Sequence, residues 1–202
     1  TLPEITAELN RAFGTWKAPS EPRPPKLISK VELPKQTRVY LMDKPGAVQT
    51  MILAGQLAPS TKADNHLAIE TMNDVFGGTF TARLNMNLRE DKSWAYGAYS
   101  FMPSALGQRP WIVWAPVQTD KTVDSVKEIQ KELGAFLGDA PATSEEIDKI
   151  QANNVRALPG QYETASAVLG ALGGITLYGR PDNYVETLKD RTESLTDADV
   201  RA

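Results

Sequence analysis

Two long polar side chains in one short stretch are the strongest candidates for chemistry in this chain. Arg89 lies near the end of an expected helix, and Tyr96 opens an expected strand seven residues later. Arginine presents a planar fork of hydrogen-bond donors, and a tyrosine hydroxyl can donate to an oxygen that gains negative charge. We therefore expect them to converge on one site. The alternative role for Arg89 is structural, since a cation interacts favourably with the last carbonyls of a helix.

The stretch around these two residues predicts the elements that hold them. A glycine pair, Gly77-Gly78, precedes a helical run in which Phe80, Leu84 and Leu88 recur at every fourth position and share one face. A charged break follows, and residues 95–102 then alternate as a β-strand does. We therefore expect a helix end next to a strand start, with one of the two polar side chains on each.

Strand pairs separated by helical blocks predict an α+β fold, a mainly antiparallel sheet with helices packed on it. The expected strands cover residues 37–42, 48–57, 95–102 and 111–117, and expected helices include 4–13, 65–76, 79–91 and 120–137. Pro45-Gly46 fits the centre of a type II turn between the first two strands. Because both faces of the second strand are apolar, we expect it to be central.

The two ends of the chain suggest a piece of a longer arrangement. A short helix is followed by four prolines that suit an extended linker, namely Pro19, Pro22, Pro24 and Pro25. We expect residues 1–34 to be a helix and proline-rich linker from a preceding half, and residues 35–202 to form the α+β domain. A new helix start at Thr196 lies close to the last residue, so we expect a domain truncated in its last helix.

Charge and composition argue against several classes of function. The net charge of -3 gives no general attraction to nucleic acid. The absence of cysteine excludes a thiol nucleophile and a thiolate metal site. The single histidine, His66, is expected on the surface of a first helical turn, so the chain should not build a catalytic zinc site alone. The sequence contains no apolar run of about 18 residues, which predicts no membrane span.

The order of residues around Arg89 resembles a known family. The pattern Gly77-Gly78-x4-Arg83-Leu84-x3-Leu88-Arg89-Glu90-x5-Tyr96-Gly97 is similar to a block of the inverted-zincin peptidases, the pitrilysin, insulysin and mitochondrial processing peptidase family. More specifically, it resembles their second, zinc-free half, of the bacterial zinc protease type. The Asp43-x-Pro45-Gly46 turn and Thr143-x-x-Glu146 fall in the matching order. The resemblance implies the LuxS/MPP-like metallopeptidase fold.

The resemblance also implies a division of roles. The active half of such peptidases carries an H-x-x-E-H zinc motif, which this sequence lacks; Ile69, Met72 and Asn73 stand where its histidines and base are expected. Zinc is therefore expected on a partner half, fused or separate, with no metal on this chain. This half is expected to close over a peptide substrate and to supply Arg89 and Tyr96 as auxiliary catalytic groups.

Arg89, Tyr96, Trp94 and Arg83 are the substrate-binding residues that the resemblance implies. Ser93-Trp94 replaces the small, glycine-leucine type pair common before the tyrosine, so the tryptophan is expected to alter the pocket wall. One alternative function is a structural or assembly module that keeps the peptidase fold without catalytic relevance, and another is an independent binding domain. Similarity to bacterial envelope members suggests a periplasmic location.

Overall fold

The described part of the chain contains a three-stranded antiparallel sheet. The computed structural model describes residues 1–21 and 23–202, and Pro22 of the expected linker lies outside them. The strands are β1 (Gln49–Ala58), β2 (Tyr99–Phe101) and β3 (Arg109–Gln118), in the order β1-β3-β2. β3 pairs with β1 along its whole length and with β2 over three residues. The expected α+β class with an antiparallel sheet is confirmed.

Eight α-helices accompany this sheet in the described part of the chain. They are α1 (Leu2–Phe13), α2 (His66–Asn73), α3 (Arg83–Asn85), α4 (Thr122–Leu137), α5 (Ser144–Gln161), α6 (Ala165–Tyr178), α7 (Tyr184–Glu193) and α8 (Asp197–Arg201). A π-helical turn extends α2 over Asp74–Gly78, and another extends α3 over Met86–Asp91. The described ranges hold no helix whose length and apolar character would let it cross a bilayer.

Alternation along the strands separates a buried face of the sheet from an open one. Val113 and Ala115 point to the helices and belong to the buried core, together with Leu84 and Leu88 of the α3 region. Residues on the opposite face, such as Leu53 of β1, remain exposed. The core therefore lies between the sheet and the helices, and it fixes the α3 region against the sheet.

Two expectations about the first strands are wrong. Residues 37–42 form no strand although the structure describes all of them, and Val39 is 87% exposed. The turn that follows is formed, with Gly46 at a φ of 79°. Alternating hydrophobicity makes a strand only where a neighbour satisfies the backbone donors and acceptors, and this segment has no such neighbour among the described residues. β1 is consequently at an edge of the described sheet, and β3 is central.

The strand expected over residues 95–102 is shorter than its pattern. β2 covers Tyr99–Phe101, and Ala95 makes only an isolated bridge with Val117. Strict alternation would put Tyr96 on the buried face of the sheet. Because the chain bends at Tyr96 and becomes a regular strand only at residue 99, the ring is instead 83% exposed. The bend is what brings this side chain to the surface.

The N-terminal helix lies apart from the core. α1 has no buried residue, and its apolar side chains Leu2, Ile5, Leu9 and Phe13 are all exposed. From its end to β1, the described residues form neither helix nor strand. The division of the chain near residue 34 stays a prediction.

Candidate functional site

Arg89 lies in the π-helical turn that follows α3. Within this turn the Lys92 N–H donates to the Asn87 carbonyl, five residues earlier, at 3.0 Å. Leu88, the preceding residue, is fully buried in the core and anchors the turn. The Arg89 side chain points away from that anchor and remains 27% exposed. Single π-helical turns of this kind occur frequently at functional sites.

The guanidinium of Arg89 lies against two aromatic rings. Its central carbon is 4.5 Å from the ring centroid of Phe80 and 5.1 Å from that of Tyr96. Its Nε atom lies 3.1 Å from Oε1 of Glu90. In the part of the chain that the structure describes, this ion pair is the only contact of the guanidinium with a charged side chain. The two terminal nitrogens are therefore available to donate hydrogen bonds to a bound molecule.

The segment before Tyr96 is fastened to the end of β3. The Gln118 N–H donates to the Trp94 carbonyl at 2.9 Å, and the Gln118 side chain donates to the Ser93 carbonyl at 3.0 Å. These bonds fix the backbone on one side of Tyr96 and leave its ring at the surface. The structure thus brings Arg89 and Tyr96 together, and their roles in binding and catalysis stay predictions.

A buried amide connects the two segments that carry the aromatic rings. Asn85 is fully buried; its Nδ2 donates to the Phe80 carbonyl at 2.7 Å, and its Oδ1 accepts from the Ala98 N–H at 3.0 Å. One side chain therefore holds the loop before α3 and the segment after Tyr96 at a fixed separation. Arg89 lies between these segments.

Ser93 and Trp94 precede Tyr96 and have different environments. Ser93 has a φ of 56°, in the left-handed region that favours glycine. The Trp94 ring packs partly on the core, and the Nζ atoms of Lys92 and Lys121 each lie 5.9 Å from its centroid. Its cationic neighbours are these lysines and not Arg89, so its predicted role in substrate binding stays untested.

Arg83, the fourth predicted binding residue, belongs to a different cluster. Its Nε donates to Oε1 of Glu146 at 2.7 Å, and its Nη2 donates to the Pro141 carbonyl at 2.9 Å. Nη1 donates to the Ala140 carbonyl, and the guanidinium lies 5.0 Å from the Phe136 ring centroid. The structure does not bring Arg83 to the rings around Arg89. Its contacts favour a structural role, and substrate binding by Arg83 stays a prediction.

The pKa values of this ion pair follow from its contacts. The hydrogen bond to Glu146 raises the pKa of Arg83 above its ordinary value. Burial alone would raise the pKa of Glu146, but hydrogen bonds from the Arg83 guanidinium and the Thr143 N–H outweigh it, so the pKa is lowered. Both shifts favour the charged forms. Glu146 also forms the capping box at the start of α5, together with Thr143.

The residues at the place of the zinc motif do not fit a zinc ion. Ile69 and Met72 offer no nitrogen or carboxylate ligand of the kind that zinc takes. The Asn73 Oδ1 accepts from the Ser100 hydroxyl and from Trp111 Nε1, each at 2.8 Å, so this amide is part of the core network. Within residues 1–21 and 23–202, no group of three or more His, Asp or Glu side chains could hold a metal.

The expectation that His66 lies on the surface is wrong. The ring is 5% exposed; Nδ1 donates to the Ala63 carbonyl at 3.0 Å, and Nε2 accepts from the Tyr184 hydroxyl at 2.7 Å. Burial lowers the pKa of His66. Sequence reasoning missed this because its partner lies 118 residues away, on α7.

Phe80 is the other residue that sequence reasoning assigned wrongly. The expected helix over residues 79–91 put Phe80 on one face with Leu84 and Leu88. α3 begins only at Arg83, so Phe80 precedes the helix, and its ring is 52% exposed while both leucines are fully buried. No spacing rule connects Phe80 with Arg89, because the two residues lie on different segments.

A protein-family model and several solved structures match this chain. A family model described as the peptidase M16 inactive domain matches residues 1–154. Among curated proteins no match was found. A solved peptidase M16 inactive domain from Pseudomonas fluorescens is 24% identical, with a TM-score of 0.68 over 77% of this chain and 37% of its own.

Two further solved structures match the full length of this chain. A protease from Helicobacter pylori is 19% identical, with a TM-score of 0.85 over 100% of this chain and 48% of its own. The periplasmic protease PqqL from Escherichia coli is 13% identical, with a TM-score of 0.75 over 100% of this chain and 22% of its own. At these identities the likeness establishes the fold. The chain spans less than half the length of each of these solved chains.

Proposed function

We propose a function from the premise that this chain belongs to the family of peptidase M16 inactive domains. The model of that family matches residues 1–154. The chain is an inactive peptidase domain of a zinc protease family. Our proposal is that it acts as the non-catalytic half of a zinc metallopeptidase. It closes over a peptide substrate held by a zinc-bearing half, and it supplies Arg89 and Tyr96 to that active site.

The observation that carries this proposal is the contact between the Arg89 guanidinium and the exposed Tyr96 ring. Amide hydrolysis develops negative charge on the carbonyl oxygen, and a hydroxyl donor aimed at that oxygen stabilises the charge. In this proposal the Tyr96 hydroxyl is that donor. The terminal nitrogens of Arg89 bind a neighbouring carbonyl or a carboxylate of the peptide, as the shape of the guanidinium allows.

Two features support a partner half. The apolar side chains of α1 lie along one helix that nothing in the described chain covers, which is the pattern of a helix that packs on another domain. The chain also spans only 48% of the Helicobacter pylori protease, whose fold it matches over its whole length. We therefore propose that residues 1–34 are a helix and linker that follow a preceding half.

Zinc is proposed for the partner half and not for this chain, because the side chains of Ile69, Met72 and Asn73 do not suit it. A periplasmic location is proposed as well, from the shared fold with the periplasmic protease PqqL. Fractionation of cells that produce the natural protein tests the location, and a cytosolic protein would contradict it.

The functional test uses the assembled peptidase, meaning this chain together with its zinc-bearing half. Arg89→Ala and Tyr96→Phe are each expected to lower kcat/KM on a peptide by on the order of 10²–10³, the usual effect of removing one donor to a developing oxyanion. Arg156→Ala and Tyr40→Phe are matched controls at exposed positions away from the site. Both controls should keep wild-type turnover.

The same measurement separates the proposal from its alternative. If Arg89→Ala and Tyr96→Phe both hydrolyse peptide at the wild-type rate, the site proposal is wrong and a structural or assembly module remains. If this chain alone hydrolyses peptides or binds zinc tightly, the proposed division between the halves is wrong.

A further inference from the structure

The proposed site contains a third side chain whose exposure is unusual for its type. Phe80 is 52% exposed, and it is absent from the buried core that Leu84 and Leu88 form. Burying a phenylalanine ring is normally favourable, so the core does not explain its position. Its ring contacts the guanidinium of Arg89, whose central carbon lies 4.5 Å from the ring centroid. This distance is shorter than that from Arg89 to Tyr96, which is 5.1 Å.

An aromatic face holds a cation without using its hydrogen-bond donors. The attraction comes from the negative charge density above the ring, so the N–H groups of the guanidinium stay free. A carboxylate at the same place would occupy two of them, as Glu146 does with Arg83. Phe80 therefore restricts the orientation of Arg89 while leaving its terminal nitrogens available for a substrate.

The backbone of Phe80 is fixed even though its ring is exposed. The Phe80 carbonyl accepts from the buried Asn85 side chain at 2.7 Å. Upstream, Gly77 packs closely on β2: a Cβ added there would lie 2.5 Å from the Ser100 Oγ and 2.7 Å from the Ser100 backbone nitrogen. The backbone that carries the ring is therefore held at Gly77 and at Phe80, beside the longer and more flexible arginine side chain.

We infer that Phe80 is a positioning residue: its ring orients the Arg89 guanidinium for the peptide substrate. This inference rests on the proposed function of Arg89. Holding a flexible side chain in its binding orientation before the substrate arrives lowers the cost of ordering it. Phe80 itself donates no hydrogen bond and takes no part in the bond-breaking step.

The test is a double-mutant cycle in the assembled peptidase. Phe80→Leu keeps apolar volume and removes the ring, and it is expected to lower kcat/KM about two- to fivefold, the size of one exposed cation–π contact. Phe80→Tyr keeps the aromatic face and should retain at least half of the activity. In an Arg89→Ala background, Phe80→Leu should cause no further loss, because the group that it positions is gone.

Phe101→Leu is the matched control, since Phe101 is a comparably exposed phenylalanine on β2. A purely structural role for Phe80 would produce the same loss with and without Arg89, or the same loss in Phe80→Tyr as in Phe80→Leu, and either result overturns the inference. If Arg89→Ala is impaired while Phe80→Leu is fully active, the inference fails and the proposed function stands. Wild-type activity in Arg89→Ala would remove both.

Discussion

Arg83 and Arg89 lie at the two ends of one short helical segment and meet opposite environments. Arg83 bonds to Glu146 and to two backbone carbonyls, so its guanidinium is occupied within the fold. Arg89 faces the rings of Phe80 and Tyr96, and its terminal nitrogens are available. The side chain of Arg83 is 18% exposed and that of Arg89 is 27% exposed. Their exposures are similar, and each lies near a carboxylate and an aromatic ring, so it is the occupation of the terminal nitrogens that separates them.

This comparison shows that one residue type meets two different environments in a single motif. Carboxylate and carbonyl partners consume donors and tie distant segments together, in this case α3 to the start of α5. Aromatic partners hold the cation by its face and leave the donors for a ligand. A guanidinium that is held but keeps donors available is the arrangement that the proposed role of Arg89 requires.

The largest expected difference between the two arginines is in stability. Arg83→Ala is expected to lower the free energy of unfolding by about 2–4 kcal/mol, because it leaves Glu146 partly buried without its cation. Arg89→Ala is expected to lower it by about 1 kcal/mol, because it removes partly exposed cation–π contacts with two rings. Urea denaturation measures both. Equal destabilisation by the two substitutions would break the comparison.

The pH dependence of stability sharpens the structural side of the comparison. The pKa of Glu146 in the folded state lies below its ordinary value of 4.5. The charged carboxylate therefore stabilises the fold fully above about pH 4.5, and this contribution is lost as the pH falls through the lowered pKa. Glu146→Gln is expected to cost about 1–2 kcal/mol at neutral pH.

The difference between wild type and Glu146→Gln should then shrink as the pH is lowered toward 3. Chemical denaturation at a series of pH values measures this difference directly. A constant difference over the whole range would mean that the charge of Glu146 does not contribute, and that packing and the hydrogen bonds of Arg83 to backbone carbonyls hold the cluster.

The smallest expected effect concerns Ser93, which lies between Arg89 and Tyr96 in the sequence. Ser93→Gly is expected to stabilise the fold by about 0.5–1 kcal/mol, because Ser93 has a left-handed backbone conformation that costs a non-glycine residue energy. Thermal unfolding measures the change. Ser104→Gly, at an exposed position without a positive φ, is the control and should not stabilise. If Ser93→Gly unfolds at a lower temperature, the serine side chain stabilises the left-handed conformation at this position.

Local patterns in the sequence predicted much of the fold. Helical periodicity over residues 120–137 located α4, because this feature depends on residues three or four positions apart. The strand expected at residues 37–42 failed for the opposite reason. Its alternation is local, but pairing depends on a neighbour that the pattern does not contain. The limits of the strands were therefore less predictable than the limits of the helices.

The candidate site was predicted only in part, because local spacing does not contain the contacts between distant segments. Arg89 and Tyr96 were chosen from their chemistry and spacing, and the structure places them in contact. Phe80 was not chosen, because its position depends on where α3 begins and on the Asn85 bond to its carbonyl. Arg83 was chosen for substrate binding, although its partner Glu146 lies 63 residues further along the chain.

By itself, the sequence determined the α+β class, the lack of an H-x-x-E-H motif and the presence of an arginine and a tyrosine at a characteristic spacing. These properties follow from residue types and short separations, which a linear chain displays directly. Only the tertiary structure decided which arginine has its terminal nitrogens occupied and which has them available. That distinction depends on side chains brought together from distant positions, and the donors of a guanidinium are occupied or available only once those neighbours are in place.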